Sequence, residues 1–317
     1  MSSPRVVSLM PFAKLSLSTD SRIIAVTIGP SDEALALILM GADEYRKGGP
    51  EGASLARAKT DRLHDYLIAS PNGESETRIV GENWNYHHAQ PLESGRWLLV
   101  GGRAVYRTGN PDQNARVFDA NGRFQTEFAL GDGIQDIQVT ADGRIWTSYF
   151  DEGVAGNRGW PQPPIGREGL ICWSRDGEPT YRYIPPAGLD VIVDCYAMNV
   201  TSKRDTWICY YPGFPLVKIR DQRVAAFWSA PEQVHGSAAF AIFDRWVLFQ
   251  GGYVGRGVWE LFELRHELPM RSMGRFDFRD EHGEALGTGV VARGDNIVFY
   301  RGDCLYSVRM SEILSES

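Results

Sequence analysis

The chain has 317 residues, 23% of them charged, and a formal net charge of -7. This acidic balance offers no electrostatic attraction to a polyanion, so nucleic acid is excluded as an expected partner. No stretch of about 18 apolar residues occurs, and Met1 to Leu17 lacks a basic region followed by an apolar run, so neither a membrane span nor a secretion signal is expected and the predicted setting is cytoplasmic. Cys172, Cys195, Cys209 and Cys304 lie far apart without a CxxC pair, which predicts reduced, mostly buried thiols rather than a zinc cage or a disulfide framework.

In chain order, the first apolar run is Val6-Val7-Ser8-Leu9-Met10, and a short apolar strand then follows a tight polar turn six times. The best-formed copies are Gly95-Arg96-Trp97, Gly143-Arg144-Ile145-Trp146, Asp205-Thr206-Trp207 and Asp244-Arg245-Trp246. A second turn alternates with the first. Tyr66 to Glu74, Ala115 to Arg123 and Leu170 to Glu178 each run from alternating strand residues into Asn-Gly or Asp-Gly, which predicts two-residue hairpins. Weaker copies follow at 216–223, 261–269 and 304–310.

Six pairs of turns predict about 24 strands in four-stranded antiparallel blades, hence an all-β, six-bladed β-propeller in a single domain spanning 1–317. The predicted blades are 22–83, 84–133, 134–188, 189–232, 233–284 and 285–317. The last repeat has no room for an outer strand, so the N-terminal strand, about 4–17, is expected to complete it and cover an open edge. A seven-bladed alternative requires a degenerate blade within 41–65.

At Ala141-Asp-Gly-Arg-Ile-Trp146 the chain resembles the repeat propellers that include the NHL, gluconolactonase-like and streptogramin lyase-like proteins, in which Asp-Gly precedes Ile-Trp. The resemblance implies the architecture. No metal-ligand or catalytic position of those enzymes is matched residue by residue.

In such a meander both tight turns lie on one side, while the second-to-third-strand connectors and the inter-blade linkers lie on the other. The connectors Gly41 to His64, Gly101 to Asn114 and Asp151 to Glu168 are long, so that side is the expected working face. Lys47 to Ala53 suits a disordered insertion, whereas Trp160-Pro-Gln-Pro-Pro164 suits an ordered rim. The basic run Arg57 to Arg62 reads as a solvated stretch or as a lid for an anionic ligand.

Counting back from the first turns places His88, Asp136, Tyr196 and His235 at equivalent positions near a predicted channel mouth. His88 and His235 are candidate acid-base groups, with Asp136 and Asp194 orienting them; the competing reading is structural histidines and carboxylates that tie blades together. His87, Tyr149, Asp151, Glu152, Tyr196, Tyr211 and Tyr253 are candidate ligand-binding residues, together with Trp84 and Trp160, which break the register of the repeated tryptophans. No cofactor is required, and no metal residues are assigned. A divalent cation held by Asp136, Asp194, Glu152 and an imidazole is the alternative use of those carboxylates. Cys195 suits a buried thiol better than a nucleophile activated by His235. Gly101-Gly102 and Gly251-Gly252 lack the following helix that a phosphate loop needs.

Two functions follow as expectations. One is a small-molecule-binding propeller, acting as a hydrolase, lyase or cyclase through His and Asp. The other is a non-catalytic scaffold for a protein partner.

Overall fold

The computed structural model describes residues 3–42, 57–71, 76–287 and 289–315. The blade-1 connector over 43–56, the Asn72-Gly73 turn and Thr288 therefore lie outside the described residues. Among those described, five antiparallel sheets of four strands and one of five, whose added edge strand is parallel, form the blade set of a six-bladed β-propeller. They fall into two compact units: Ser16–Ile184, and Met1–Leu15 with Pro185–Ser317.

The unit Ser16–Ile184 holds three sheets. Blade 1 comprises Arg22–Ile28, Ala34–Met40, Lys59–Ala69 and Glu76–Trp84. Blade 2 comprises His88–Pro91, Trp97–Val100, Ala115–Phe118 and Phe124–Phe128. Blade 3 comprises Ile134–Val139, Ile145–Tyr149, Leu170–Trp173 and Pro179–Arg182. The second strands of blades 1 and 2 read as unbroken apolar runs, and that of blade 3 buries Thr147 and Ser148 among its apolar residues, because both faces of each sheet are covered. In blade 2, Trp97 and Leu99 enter the core shared with blade 1, while Leu98 and Val100 enter the core shared with blade 3. The period of two thus sends alternate residues to opposite neighbours.

The other unit contains blade 4, Asp194–Val200, Asp205–Tyr211, Pro215–Arg220 and Arg223–Ser229. Blade 5 is Phe240–Phe243, Trp246–Gln250, Val258–Arg265 and Leu268–Arg279. Blade 6 is Val290–Arg293, Asn296–Arg301 and Cys304–Arg309, and its fourth strand is Pro11–Lys14 from the N-terminal segment. The apolar run that precedes it does something different from completing this blade. Arg5–Ser8 pairs in parallel with Phe276–Arg279 as a fifth strand of blade 5, with Val7 and Leu9 packed on the core between blades 5 and 6. Pro11 begins the strand on blade 6, an edge position where a missing N–H costs little.

The Asn-Gly and Asp-Gly turns differ from the two-residue hairpins predicted for them. Asp119 and Ser174 donate their N–H to the carbonyls of Arg123 and Glu178, which encloses three loop residues, and Gly122 and Gly177 sit at φ +75° and +81°. The cause is the residue two positions before the Asn or Asp. Asp119 Oδ1 accepts the N–H groups of Asn121 and Arg123, both at 2.9 Å, and Ser174 Oγ accepts those of Asp176 and Glu178, both at 3.2 Å. Such side-chain closure favours the longer loop, with its final glycine left-handed and a bulge beside it. Cys172, Cys195 and Cys209 are buried and Cys304 is half-buried, matching the burial expected of them.

Candidate functional site

In the unit Ser16–Ile184 the described connectors of blades 2 and 3, 101–114 and 151–168, use polar groups internally. Asp132 grips Arg103 through two hydrogen bonds of 3.0 Å and accepts the Ala104 N–H at 2.8 Å. The same guanidinium bonds Glu152, which also accepts the Asn157 amide at 3.0 Å; Arg103 holds the Glu152 carboxyl below its ordinary range. Asn114, wholly buried, donates to the carbonyls of Gly101 and Gly131 and accepts from Leu130. The predicted binding residues here are absorbed by this framework. The Tyr149 hydroxyl donates to Leu130 at 2.6 Å from within the core, and Trp160, 9% exposed, donates its indole N–H to Ala104 at 2.9 Å. Trp84 is 3% exposed with the Lys59 ammonium 4.3 Å above its ring. Neither tryptophan offers an open face, so the stacking role expected of them gives way to packing. Asp151 is exposed at the start of the short helix Asp151–Ala155.

His87 accepts the Gly102 N–H on Nδ1 at 3.0 Å. His88, at the head of its inner strand, bonds the Ile134 backbone; burial, and then the neighbouring His87, push its pKa down to about 3. It is neutral at physiological pH. Asp136 accepts the Ile137 N–H at 2.7 Å and the Gln138 amide at 3.0 Å. The Gly101-Gly102 pair has a steric rationale: a Cβ on either would stand 3.1 Å from a carbonyl oxygen, of Asn85 and Ile134 respectively.

The unit formed by the N-terminal segment and blades 4 to 6 gathers four predicted residues into one aromatic cluster. Phe214 is its hub. It stacks on His235 with ring centres 4.6 Å apart and meets Tyr196, Tyr211 and Tyr253 at 5.3, 5.8 and 5.9 Å. The Tyr253 and Tyr196 hydroxyls share a 2.6 Å hydrogen bond. Phe214 itself takes a left-handed conformation, φ +47°, which a bulky residue adopts only when its surroundings compensate. Here its carbonyl accepts the Ala230 N–H at 3.1 Å and its ring is buried.

Two backbone clamps hold the partners in place. His235 Nε2 lies 2.9 Å from the Ala230 carbonyl, and its own carbonyl accepts the Tyr253 N–H at 2.9 Å. Gly236 lies against the Tyr253 ring, where a Cβ would approach to 2.5 Å. Gly252 is equally constrained, its Cβ position 2.1 Å from the His235 carbonyl oxygen. Asp194 stands opposite Tyr211 in the strand pair and is half-buried.

The outer side of this cluster is apolar and accessible. Tyr211 is 47% exposed and Tyr253 55%; Val254 is fully exposed, and Val191 and Val193, in the segment just before the strand that begins at Asp194, are exposed as well. Val193 donates its N–H to the Tyr211 carbonyl at 2.9 Å, which sets these two residues side by side. Phe214 escaped the sequence reading. Its signal is Tyr211-Pro-Gly-Phe-Pro215, two aromatics set among prolines in a short connector, where length offers no cue. Among the described residues, no three His, Cys, Asp or Glu side chains are grouped to hold a metal ion.

A family model described as the YxzG family matches residues 170–253, a stretch that contains the entire aromatic cluster. No curated protein matches the chain. Among solved structures, the chain is similar to one in the crystal structure of BBS1N in complex with ARL6DN, with 13% identity, 82% of this chain and 71% of that one covered, and a TM-score of 0.47. It is also similar to the Pan2 WD40 domain of Neurospora crassa, with 12% identity, coverage of 93% and 78%, and a TM-score of 0.48.

Proposed function

We propose that the chain is a non-catalytic protein-interaction scaffold that engages its partner through the connector side of blades 4 and 5. The observation that carries this reading is the accessible surface of Tyr211, Tyr253, Val254, Val191 and Val193, seated on a rigid buried hub. Tyrosines that are already ordered before binding lose little conformational freedom in a complex, which is why they dominate interface energetics. Acid-base catalysis finds less support. His88 is neutral and occupied by the Ile134 backbone, and His235 is fixed between Phe214 and the Ala230 carbonyl.

The test is affinity capture with the wild-type chain and the Tyr211→Ser/Tyr253→Ser variant. A partner retained in stoichiometric amount by the first and lost by the second, with unchanged circular dichroism, is the expected result. Equal retention by both would remove this surface from the function.

A further inference from the structure

We infer that the Tyr211 and Tyr253 surface receives an arginine-bearing segment of the partner protein, an inference that rests on the scaffold reading above. Four segments frame the surface: 189–196, 211–215, 230–237 and 250–257. Together they carry three carboxylates, Asp190, Asp194 and Glu232, against one cation, Arg256. Asp190 and Glu232 are exposed. Each is held nearby through its backbone: the Asp190 carbonyl accepts the hydroxyl of Tyr210, the chain neighbour of Tyr211, at 2.9 Å, and the Glu232 carbonyl accepts the N–H of His235 at 3.1 Å.

An aromatic face is electron-rich and attracts a cation laid upon it, while the carboxylates add a local negative potential. Arginine suits this combination better than lysine. Its guanidinium is planar and weakly hydrated, so it stacks on tyrosine while its N–H groups fork towards a carboxylate. A purely apolar partner would leave Asp190 and Glu232 without compensation at the rim, whereas an acidic partner would be repelled by them and by the overall charge of -7.

The probe is an end-blocked pentapeptide containing two arginines, titrated calorimetrically into the full chain beside its citrulline counterpart, which has the same shape without the charge. The arginine peptide should bind about tenfold tighter than the citrulline one, and Tyr253→Ala should remove most of that advantage, as expected for a cation on an aromatic face. Tyr253→Phe keeps the ring and should bind within about twofold of wild type. Asp190→Asn/Glu232→Gln should weaken binding and flatten its salt dependence.

Equal affinity for the two peptides, with the same dependence on Tyr253, would overturn the arginine assignment and leave the scaffold reading standing. Arginine-peptide binding indifferent to Tyr211 and Tyr253 would overturn the assignment too, and partner capture that also ignores both tyrosines would remove the scaffold reading with it. A concentration-dependent dimer abolished by Tyr253→Ala would make a second copy of the chain the occupant and likewise overturn the inference.

Discussion

His88 shows how position decides the chemistry of a residue. An imidazole at the head of an inner strand was legible as a candidate acid-base group, yet burial and the adjacent His87 keep it neutral. The folded state resists protonation there while the unfolded chain titrates near 6.5, so its contribution to stability is complete above about pH 6.5 and is lost as pH falls towards 3. The ring is only half-buried by area, and solvent reduces the size of the effect. His88→Gln should therefore lose less melting temperature than wild type between pH 6.5 and 4.5, measured by circular dichroism. His64, also shifted down by burial, acts in the same direction and leaves part of the acid sensitivity in that variant.

Asp132 is the complementary case, invisible in the sequence because Arg103 lies 29 residues away. It is nearly inaccessible and bonds both the Arg103 guanidinium and a backbone N–H. Asp132→Ala leaves Arg103 buried without its main partner and should cost about 3 kcal/mol in urea unfolding. Gly236→Ala should distort the exposed platform instead: it places a methyl against the Tyr253 ring at a left-handed backbone position, and partner capture should fall without loss of the fold.

Among the elements, the turns teach the clearest lesson. Asp119-Ala-Asn-Gly, Thr140-Ala-Asp-Gly, Ser174-Arg-Asp-Gly and Asp280-Glu-His-Gly share a polar residue three positions before glycine, and that residue lengthens the loop by accepting the N–H groups that follow it. The pattern is local and legible in the sequence, whereas Asn-Gly and Asp-Gly alone do not distinguish a two-residue from a three-residue loop. Removing one such acceptor, as in Asp119→Ala, should cost about 1 kcal/mol by urea unfolding.

The N-terminal segment is the second instructive element. Its capacity to complete the last blade followed from a missing outer strand, and Pro11–Lys14 fulfils that role. Its earlier half covers another blade edge by parallel pairing, a choice no local pattern announces because Val6 and Val7 suit either sheet. Deleting residues 1–15 leaves edges of blades 5 and 6 unpaired, and the melting temperature should fall by about 10 °C or more. A synthetic peptide of residues 3–16 should restore part of the loss.

At the scale of the molecule, the acidic balance of -7 predicts no retention on heparin or duplex DNA at pH 7.5 and physiological salt, checked by column chromatography. The sequence by itself determined the number and kind of blades. Apolar strands alternating with polar turns satisfy their backbone hydrogen bonds with sequence neighbours, and that local regularity is written in the chain. Tertiary structure alone decided which side chains meet. Phe214, His235 and Tyr253 are brought together by packing between blades 4 and 5, and Tyr149, Glu152 and Trp160 are drawn into a framework between connectors. Contacts between residues distant in sequence depend on sheet packing and connector path, which leave no periodic trace among neighbouring residues.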